Sequence, residues 1–415
     1  MTNSPSPRPW YMEHSVIIIA GCLIAIIGFG GRASMGMFNK PITDFHGWPR
    51  ETFGFAMALQ NLAWGIMQPV AGAFADRFGA TRVLMVGALL YAAGLFLMPF
   101  SHTPGLIYMT GGVLVGSGIA VASFSIVMAA FGRLVPPEKR SWAFGIAVAA
   151  GSMGQFIFAP LGQAFIAAFG WQSALMLLAA ILLFIIPLAI PLSAKADNSA
   201  AARAAAGETD LDLRQAIAKA FGHGSFVLLV LGFFVCGFQL AFVTIHMPPY
   251  LIEHGISTWL AAWSIAIVGV FNVVGSYVSG MIGGRYVKRY ALSLSYLGRS
   301  IAVIAFITLP ITPVSTLIFT AVMGLLWLST VPLTMGLVTV MFGTRYMATL
   351  YGFVFLSHQI GSFFGVWLGG LLHDIYGTYD PVWWMGVALG LFAALVHLPI
   401  REARAPAFTP QGAGA

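Results

Sequence analysis

Uninterrupted apolar runs of about 20 residues, the length needed to cross a hydrocarbon core, recur from end to end of this chain. Twelve are counted, near residues 15 to 39, 52 to 74, 82 to 100, 105 to 131, 142 to 168, 172 to 193, 224 to 248, 259 to 283, 290 to 309, 313 to 341, 347 to 372 and 381 to 399. Backbone groups in lipid are satisfied only within helices or closed barrels. Barrel strands alternate apolar and polar positions and these runs do not, so the prediction is an all-α membrane protein with twelve transmembrane helices. The longest polar stretch, 194–222, divides six runs from six. The predicted organisation is therefore an N-terminal six-helix bundle over 1–193, a linker over 194–222 and a C-terminal six-helix bundle over 223–415. Inside the linker, Thr209 followed by Asp212 gives a cap pattern, and Leu213, Ile217, Ala220 and Phe221 share one helical face, predicting a short amphipathic helix.

Composition agrees: 59% of residues are hydrophobic and 8% charged, where a soluble domain has about a quarter charged. The net charge of +7 is a topology signal and not evidence for nucleic acid. Arg77, Arg82, Arg133, Lys139, Arg140, Lys195, Arg203, Arg285, Lys288 and Arg289 gather in alternate connections, whereas the intervening ones keep Arg50, with Lys40 at a helix end. Positive charge collects on the cytoplasmic side, so both termini are expected in the cytoplasm, with the chain in the inner membrane. Cys22 and Cys236 lie in apolar runs and suggest neither a disulfide nor a metal site. A phosphate-cradling loop and a nucleophile or metal-ligand pattern are both missing from the sequence, so neither ATP-driven transport, an enzyme nor a bound cofactor is expected.

The halves repeat at an offset close to 207: Gly72, Asp76 and Arg77 match Gly280, Gly284 and Arg285; Pro41 matches Pro248; Gly145 and Gly154 match Gly352 and Gly361. Parallel repeats about an axis along the membrane normal are one way to build alternating access around a midplane site. The segment Gly72 to Arg82, GAFADRFGATR, resembles the loop signature of the major facilitator superfamily, with a weakened copy, GMIGGRYVKR, in the second half. The resemblance implies that Asp76 with Arg77 and Arg82, and Arg285 in the second copy, form a cytoplasmic latch. Within that superfamily, FNKPITDF from Phe38 to Phe45 is similar to the end of the first span of monocarboxylate transporters, whose lysine takes part in proton and substrate coupling; Lys40 stands in its place. The Asp and Arg pair of that family's eighth span is replaced by Asn272 and Ser276, so Arg32 or Arg299 would have to bind the anion. A second resemblance, to the oxalate and formate antiporter branch, rests on a basic residue of span eleven near His358.

Polar groups inside the apolar runs are the functional candidates. A guanidinium at a helix centre costs roughly 2.5 to 3.5 kcal/mol on insertion scales. Arg32 and Arg299 are both deep, and the runs hold no carboxylate to pair with them. Arg32 sits among Gly28, Gly30, Gly31 and Gly36, where a ligand or a neighbouring helix can come close, and Gln239 corresponds to it through the repeat. Arg299 is mid-span nine and is read equally as a ligand or a helix brace. His358, near the centre of span eleven beside Gln359, is the first choice for proton coupling, with Lys40 as the alternative carrier. Gln155, Asn272 and Tyr277 are further candidates to line a polar cavity, and Gln60 and Asn61 lie in span two. His246 and Asn39 are expected at an outer gate.

The sequence thus predicts a secondary transporter, acting as a monomer in the lipid bilayer, that moves a small organic anion, expected to be a monocarboxylate, by proton symport. The rivals are antiport or efflux of neutral or amphipathic compounds and, from another class, a solute sensor that does not cycle.

Overall fold

The computed structural model describes residues 13–193 and 211–409. Its elements are helical, and ten stretches are long and apolar enough to cross a membrane. The longest, Pro137–Leu192, turns at Gly170, whose φ of 76° suits a residue without Cβ, and so gives two passes. Arg50–Phe78, made less apolar by Gln60, Asn61 and Gln68, gives another, for the twelve expected.

We number the passes in chain order. α1 is His14–His46, α2 Arg50–Phe78, α3 Ala80–Leu97 and α4 Pro104–Leu134; α5 and α6 are the two parts of Pro137–Leu192 before and after Gly170. In the second half, α7 is Gly224–Glu253, α8 Thr258–Arg285, α9 Lys288–Thr308, α10 Pro313–Phe342, α11 Met347–Tyr376 and α12 Asp380–His397. Several passes are irregular: α1 tightens to a 3₁₀ turn at Ser34–Phe38, α4 breaks at Ala122 and Ser123, α6 is interrupted between Leu182 and Ile185, and α10 breaks between Leu326 and Thr330. Large apolar side chains such as Ile19, Leu294, Ile301 and Leu395 remain exposed on the outer flanks, where lipid replaces water as solvent.

The linker helix forms at Leu213–Phe221, with Asp212 as its cap in a reciprocal pair with Gln215. The expected cap, Thr209, lies outside the described residues, as do 194–210 in general. Asp212 wins because its carboxylate accepts from the Gln215 N–H at 2.7 Å, while the Gln215 amide returns the bond.

The sequence repeat reappears as repeated contacts. A Cβ added at Gly154 of α5 would lie 2.1 Å from the Ile26 carbonyl of α1, and one added at Gly361 of α11 would lie 2.0 Å from the Phe234 carbonyl of α7. Likewise Gly72 of α2 is pressed on Ala348 of α11, and Gly280 of α8 on Ser141 of α5. The pairs α2 with α11 and α5 with α8 join the two bundles. Their closest approaches fall toward the ends of α2 and α8 and the starts of α5 and α11, all on one face of the molecule, which we call the latch face.

At the α5–α8 crossing, a Cβ on Gly280 would stand 2.7 Å from Gly145 Cα. Gly280→Ala is expected to lower stability by about 1–3 kcal/mol through overpacking. Gly54→Ala, which meets nothing within 4 Å, should not. Melting of the two purified variants in detergent checks this, and equal melting temperatures would contradict the close crossing.

Candidate functional site

On the latch face, Asp76 does not pair with Arg77 or Arg82. Its wholly buried carboxylate binds Arg133 of α4 and reaches across to the other bundle. There it accepts from the Thr349 N–H at 2.8 Å, the Thr349 hydroxyl at 2.7 Å and the Ala348 N–H at 3.4 Å. Asp76 thus caps the N-terminus of α11, meeting both the unpaired N–H groups and the positive end of the helix dipole. Arg133 completes the knot by donating to the carbonyls of Ala75, Thr344 and Arg345. Arg77 stacks over Phe78 at the surface, and Arg82 and Arg285 are exposed. The latch expected from the motif is therefore corrected in its partners: Arg133 and Thr349 were missed, because Arg133 reads in sequence as one more positive charge at a helix end.

Arg299 is also resolved. It is fully buried and bound to the break in α10, where two carbonyls lose their helical partners. Its Nε and Nη2 donate to the Leu326 carbonyl at 2.9 and 2.5 Å, and Nη2 also reaches the Trp327 carbonyl. Cys236 Sγ lies 3.5 Å from Nη1, and the Tyr296 ring lies against the guanidinium. In this conformation Arg299 braces the break in α10. Asn272 serves the same break: its Oδ1 accepts from the Leu328 N–H at 2.9 Å and the Ser276 hydroxyl at 3.1 Å, while its Nδ2 donates to Ser152 of α5 at 2.6 Å. With its amide so engaged, Asn272 ties α8, α10 and α5 together instead of facing a solute.

Four other expectations change. Gln239 turns into the second bundle, donating to the Gly386 carbonyl of α12 at 2.9 Å. Tyr277 lies on the exposed flank shared with Val270, Val274 and Met281. His246 is buried, bonded at 2.9 Å to the Val366 carbonyl of α11 and packed against Phe242 and Tyr379. Lys40 is 70% exposed and paired with Asp44 one turn on, so it lacks the low-dielectric setting a coupling lysine needs. Asn39 is half-buried at the end of the 3₁₀ turn, and Gln155 is half-buried one turn beyond Ser152.

Arg32 and His358, by contrast, are linked across the bundle interface through Asn61 and Gln359. Arg32 Nη2 donates to Asn61 Oδ1 of α2 at 2.8 Å, and its guanidinium lies 4.8 Å from the Trp64 ring centre. Across the bundle interface, Gln359 Nε2 donates to the Asn61 carbonyl at 3.2 Å, while Gln359 Oε1 is 3.2 Å from His358 Nδ1. Gly65 permits this approach, since a Cβ there would meet Gln359 at 2.8 Å. One turn toward the latch face, the rings of Trp64 and Phe355 lie 4.8 Å apart, with His358 stacked on Phe355 at 5.4 Å. Trp64 is held by its N–H bond to Gln68, which donates to Ser123 of α4. The result is a positive group and an imidazole, one from each bundle, joined through Asn61 and Gln359 above an aromatic floor. Asn61 was named from the sequence only as a polar residue of span two, and Trp64 was not singled out; their spacing of three on α2 at the depth of Arg32 was the signal available.

A family profile described as Major Facilitator Superfamily matches residues 21–366. The chain belongs to the major facilitator superfamily. It is a multi-pass membrane transporter and not an enzyme. Among curated proteins it is 23% identical to bovine (Bos taurus) monocarboxylate transporter 13, over 88% of this chain and 84% of the relative. It is 24% identical to mouse (Mus musculus) monocarboxylate transporter 11, over 97% and 91%. It is also 24% identical to the uncharacterized MFS-type transporter YcxA of Bacillus subtilis (strain 168), over 84% and 85%. Among solved structures, a variant of the E. coli fucose:proton symporter FucP superposes with a TM-score of 0.71 at 15% identity, covering 92% of this chain and 97% of that one. A double-tryptophan variant of XylE gives 0.72 at 16% identity, covering 94% and 96%. These two likenesses show the superfamily fold.

Two expectations follow for this superfamily chain. Asp76→Asn keeps the shape of the trans-bundle cap but removes its charge, so the latch face should open more often. In a background lacking Cys22 and Cys236, a cysteine at Ser141 should then react with maleimide about tenfold faster, as expected when a buried charged contact is weakened. Arg299→Met should lower stability by about 3 kcal/mol, because the α10 carbonyls lose their donor. The shift in melting temperature should be the same with and without added carboxylates.

Proposed function

We propose that this transporter carries a small organic anion, a monocarboxylate, by proton symport through alternating access. The observation that carries this reading is the chain of contacts, Arg32 to Asn61 to Gln359 to His358, that links a guanidinium of one bundle to an imidazole of the other. A mobile carboxylate supplies the charge that Arg32 lacks, since its protein partner there is the neutral Asn61. Its arrival compensates a guanidinium held in low dielectric, which water does more cheaply elsewhere. His358 carries the proton because histidine is the side-chain type suited to gaining and losing one near neutral pH, and Gln359 and Asn61 link it to Arg32. The names of the monocarboxylate transporter relatives and the proton coupling of the structural neighbours support the same reading. The latch face is the cytoplasmic one, so the conformation described is closed to the cytoplasm, and both termini lie on that side of the inner membrane.

Proteoliposomes loaded with carboxylates test the assignment. Arg32→Gln should reduce exchange of labelled lactate, pyruvate or acetate roughly 30-fold, the effect of losing a charge-assisted hydrogen bond. His358→Gln should retain exchange yet lose accumulation driven by an imposed pH gradient. The anion reading fails if no carboxylate is exchanged or if Arg32→Gln exchanges like the parent. Gradient-driven accumulation by His358→Gln would remove the proton from His358.

A further inference from the structure

Behind Arg32, α4 does not run straight. Its helix stops at Val121, Ala122 and Ser123 are non-helical, and a second helix runs over Phe124–Leu134. The first N–H groups of such a helix have no carbonyl in a preceding turn, and its dipole places positive potential at that end. Ser123 does not cap them with its side chain: its hydroxyl is engaged with Gln68 at 3.1 Å and Ser125 at 2.8 Å.

This helix start faces a small cavity in the N-terminal bundle, with space for about one water-sized group. Gly28 and Arg32 of α1, Trp64 of α2, Tyr91 of α3, and Ser123 and Phe124 of α4 are among its walls. Two donors in these walls are buried without a hydrogen-bond partner. One is the Tyr91 hydroxyl, on a side chain with no exposed surface; the other is Arg32 Nε, whose neighbour Nη2 goes to Asn61. An unsatisfied buried donor is costly. Here two of them and a helix N-terminus surround one space. The complement is an anionic oxygen.

We propose that Tyr91 and the N-terminal turn of the second half of α4 complete, with Arg32, a carboxylate seat that reaches from the central site into the N-terminal bundle. One oxygen of the substrate's carboxylate enters the seat, and the rest of the molecule stays between the bundles, near His358. The seat rests on the anion reading above and deepens it: it makes the N-terminal bundle the carboxylate-binding half and confines recognition there to the head group. Broken helices serve this purpose in membranes because irregular backbone is tolerated where it lines a cavity.

The test uses purified full-length protein, with acetate, pyruvate, lactate and chloride as probes in thermal-shift titrations and in counterflow. Tyr91→Phe removes only the hydroxyl. Gly28→Ala puts a methyl group in the cavity wall, where it meets the Ala122 carbonyl at an ordinary 3.4 Å, so the fold is retained. Both variants should melt with the parent in the absence of ligand and require about tenfold more carboxylate for the same stabilisation or half-maximal exchange. Parent-like carboxylate affinity in both variants overturns the seat and leaves the anion reading standing. A change in ligand-free melting with unchanged affinity also overturns it, since that is the behaviour of a structural water site. If chloride stabilises the parent in a Tyr91-dependent way and carboxylates do not, the carboxylate assignment falls. A parent that neither exchanges carboxylates nor responds to any probe overturns the transport reading and the seat with it.

Discussion

The structure turns on one carboxylate. Asp76, with 1% of its side chain exposed, is the charge that one bundle lends to the other. Burying an ion costs several kcal/mol unless its lone pairs are filled. Here they are filled from both sides: by Arg133 of its own bundle and by the start of α11 in the other. A helix cap supplied in trans works only while the bundles touch. The same charge that stabilises the closed latch face therefore has to be stripped of partners when that face opens, which makes the contact strong and reversible at once. Everything toward the opposite face follows from this closure. Asn61 lies fifteen residues before Asp76 on α2, roughly 22 Å away, and there Asn61 and Gln359 link Arg32 to His358 across the bundles.

Arg32 and Arg299 face the same cost of a deep guanidinium and meet it differently. Arg299 is satisfied by backbone, because α10 breaks beside it and two carbonyls become acceptors. The break in turn needs a donor, so each explains the other, and Asn272 and Ser279 finish the repair at the Leu328 N–H and the Ser329 carbonyl. Arg32 has a break beside it too, at Ala122 and Ser123 of α4, but no backbone carbonyl takes its guanidinium: Nη2 goes to the side chain of Asn61 and Nε has no partner. A buried arginine next to freed carbonyls is a brace. Arg32, half-buried and bonded to a neutral amide, keeps its charge unmet by backbone.

That contrast also marks how far the sequence could be read. The number of passes, the superfamily and the inward positions of Arg32 and His358 were legible, because burial of long apolar runs and the cost of a charge in lipid are properties of the sequence itself. The repeat was legible as well, since glycines at helix crossings recur wherever the crossing does: Gly154 and Gly361 each meet a backbone carbonyl of their partner helix. The rotation of each side chain about its helix was harder. Gln239 matches Arg32 through the repeat, yet it points to α12, because the second bundle offers the Gly386 carbonyl there. The break in α4 carries no proline and no charge, so nothing local announced it; the break in α10 falls just before Pro332, which cannot bond the Leu328 carbonyl, a signal the sequence reading did not use. Without the breaks, neither the role of Arg299 nor that of Asn272 could be assigned.

A transporter has to make its ligand change the balance between two closures, and a ligand shifts that balance only by binding one state better than the other. The contacts between bundles near the site suggest how chemistry reaches them. Gln359 of α11 holds the carbonyl of the same Asn61 whose amide oxygen holds Arg32, and it also touches His358. On the proposed reading, an anion that draws the guanidinium away from Asn61, or a proton that changes what His358 offers Gln359, acts on a hydrogen bond that spans the two bundles. Neutral amides suit that place. They lose little when separated, whereas an ion pair between the bundles at this depth would hold them together more strongly than a small substrate could offset. The absence of carboxylates from the apolar runs thereby fits the mechanics of opening: the strong charged contact is kept at the latch face, where water can replace it, and the site itself is joined across the interface by bonds weak enough for a small anion and a proton to reset.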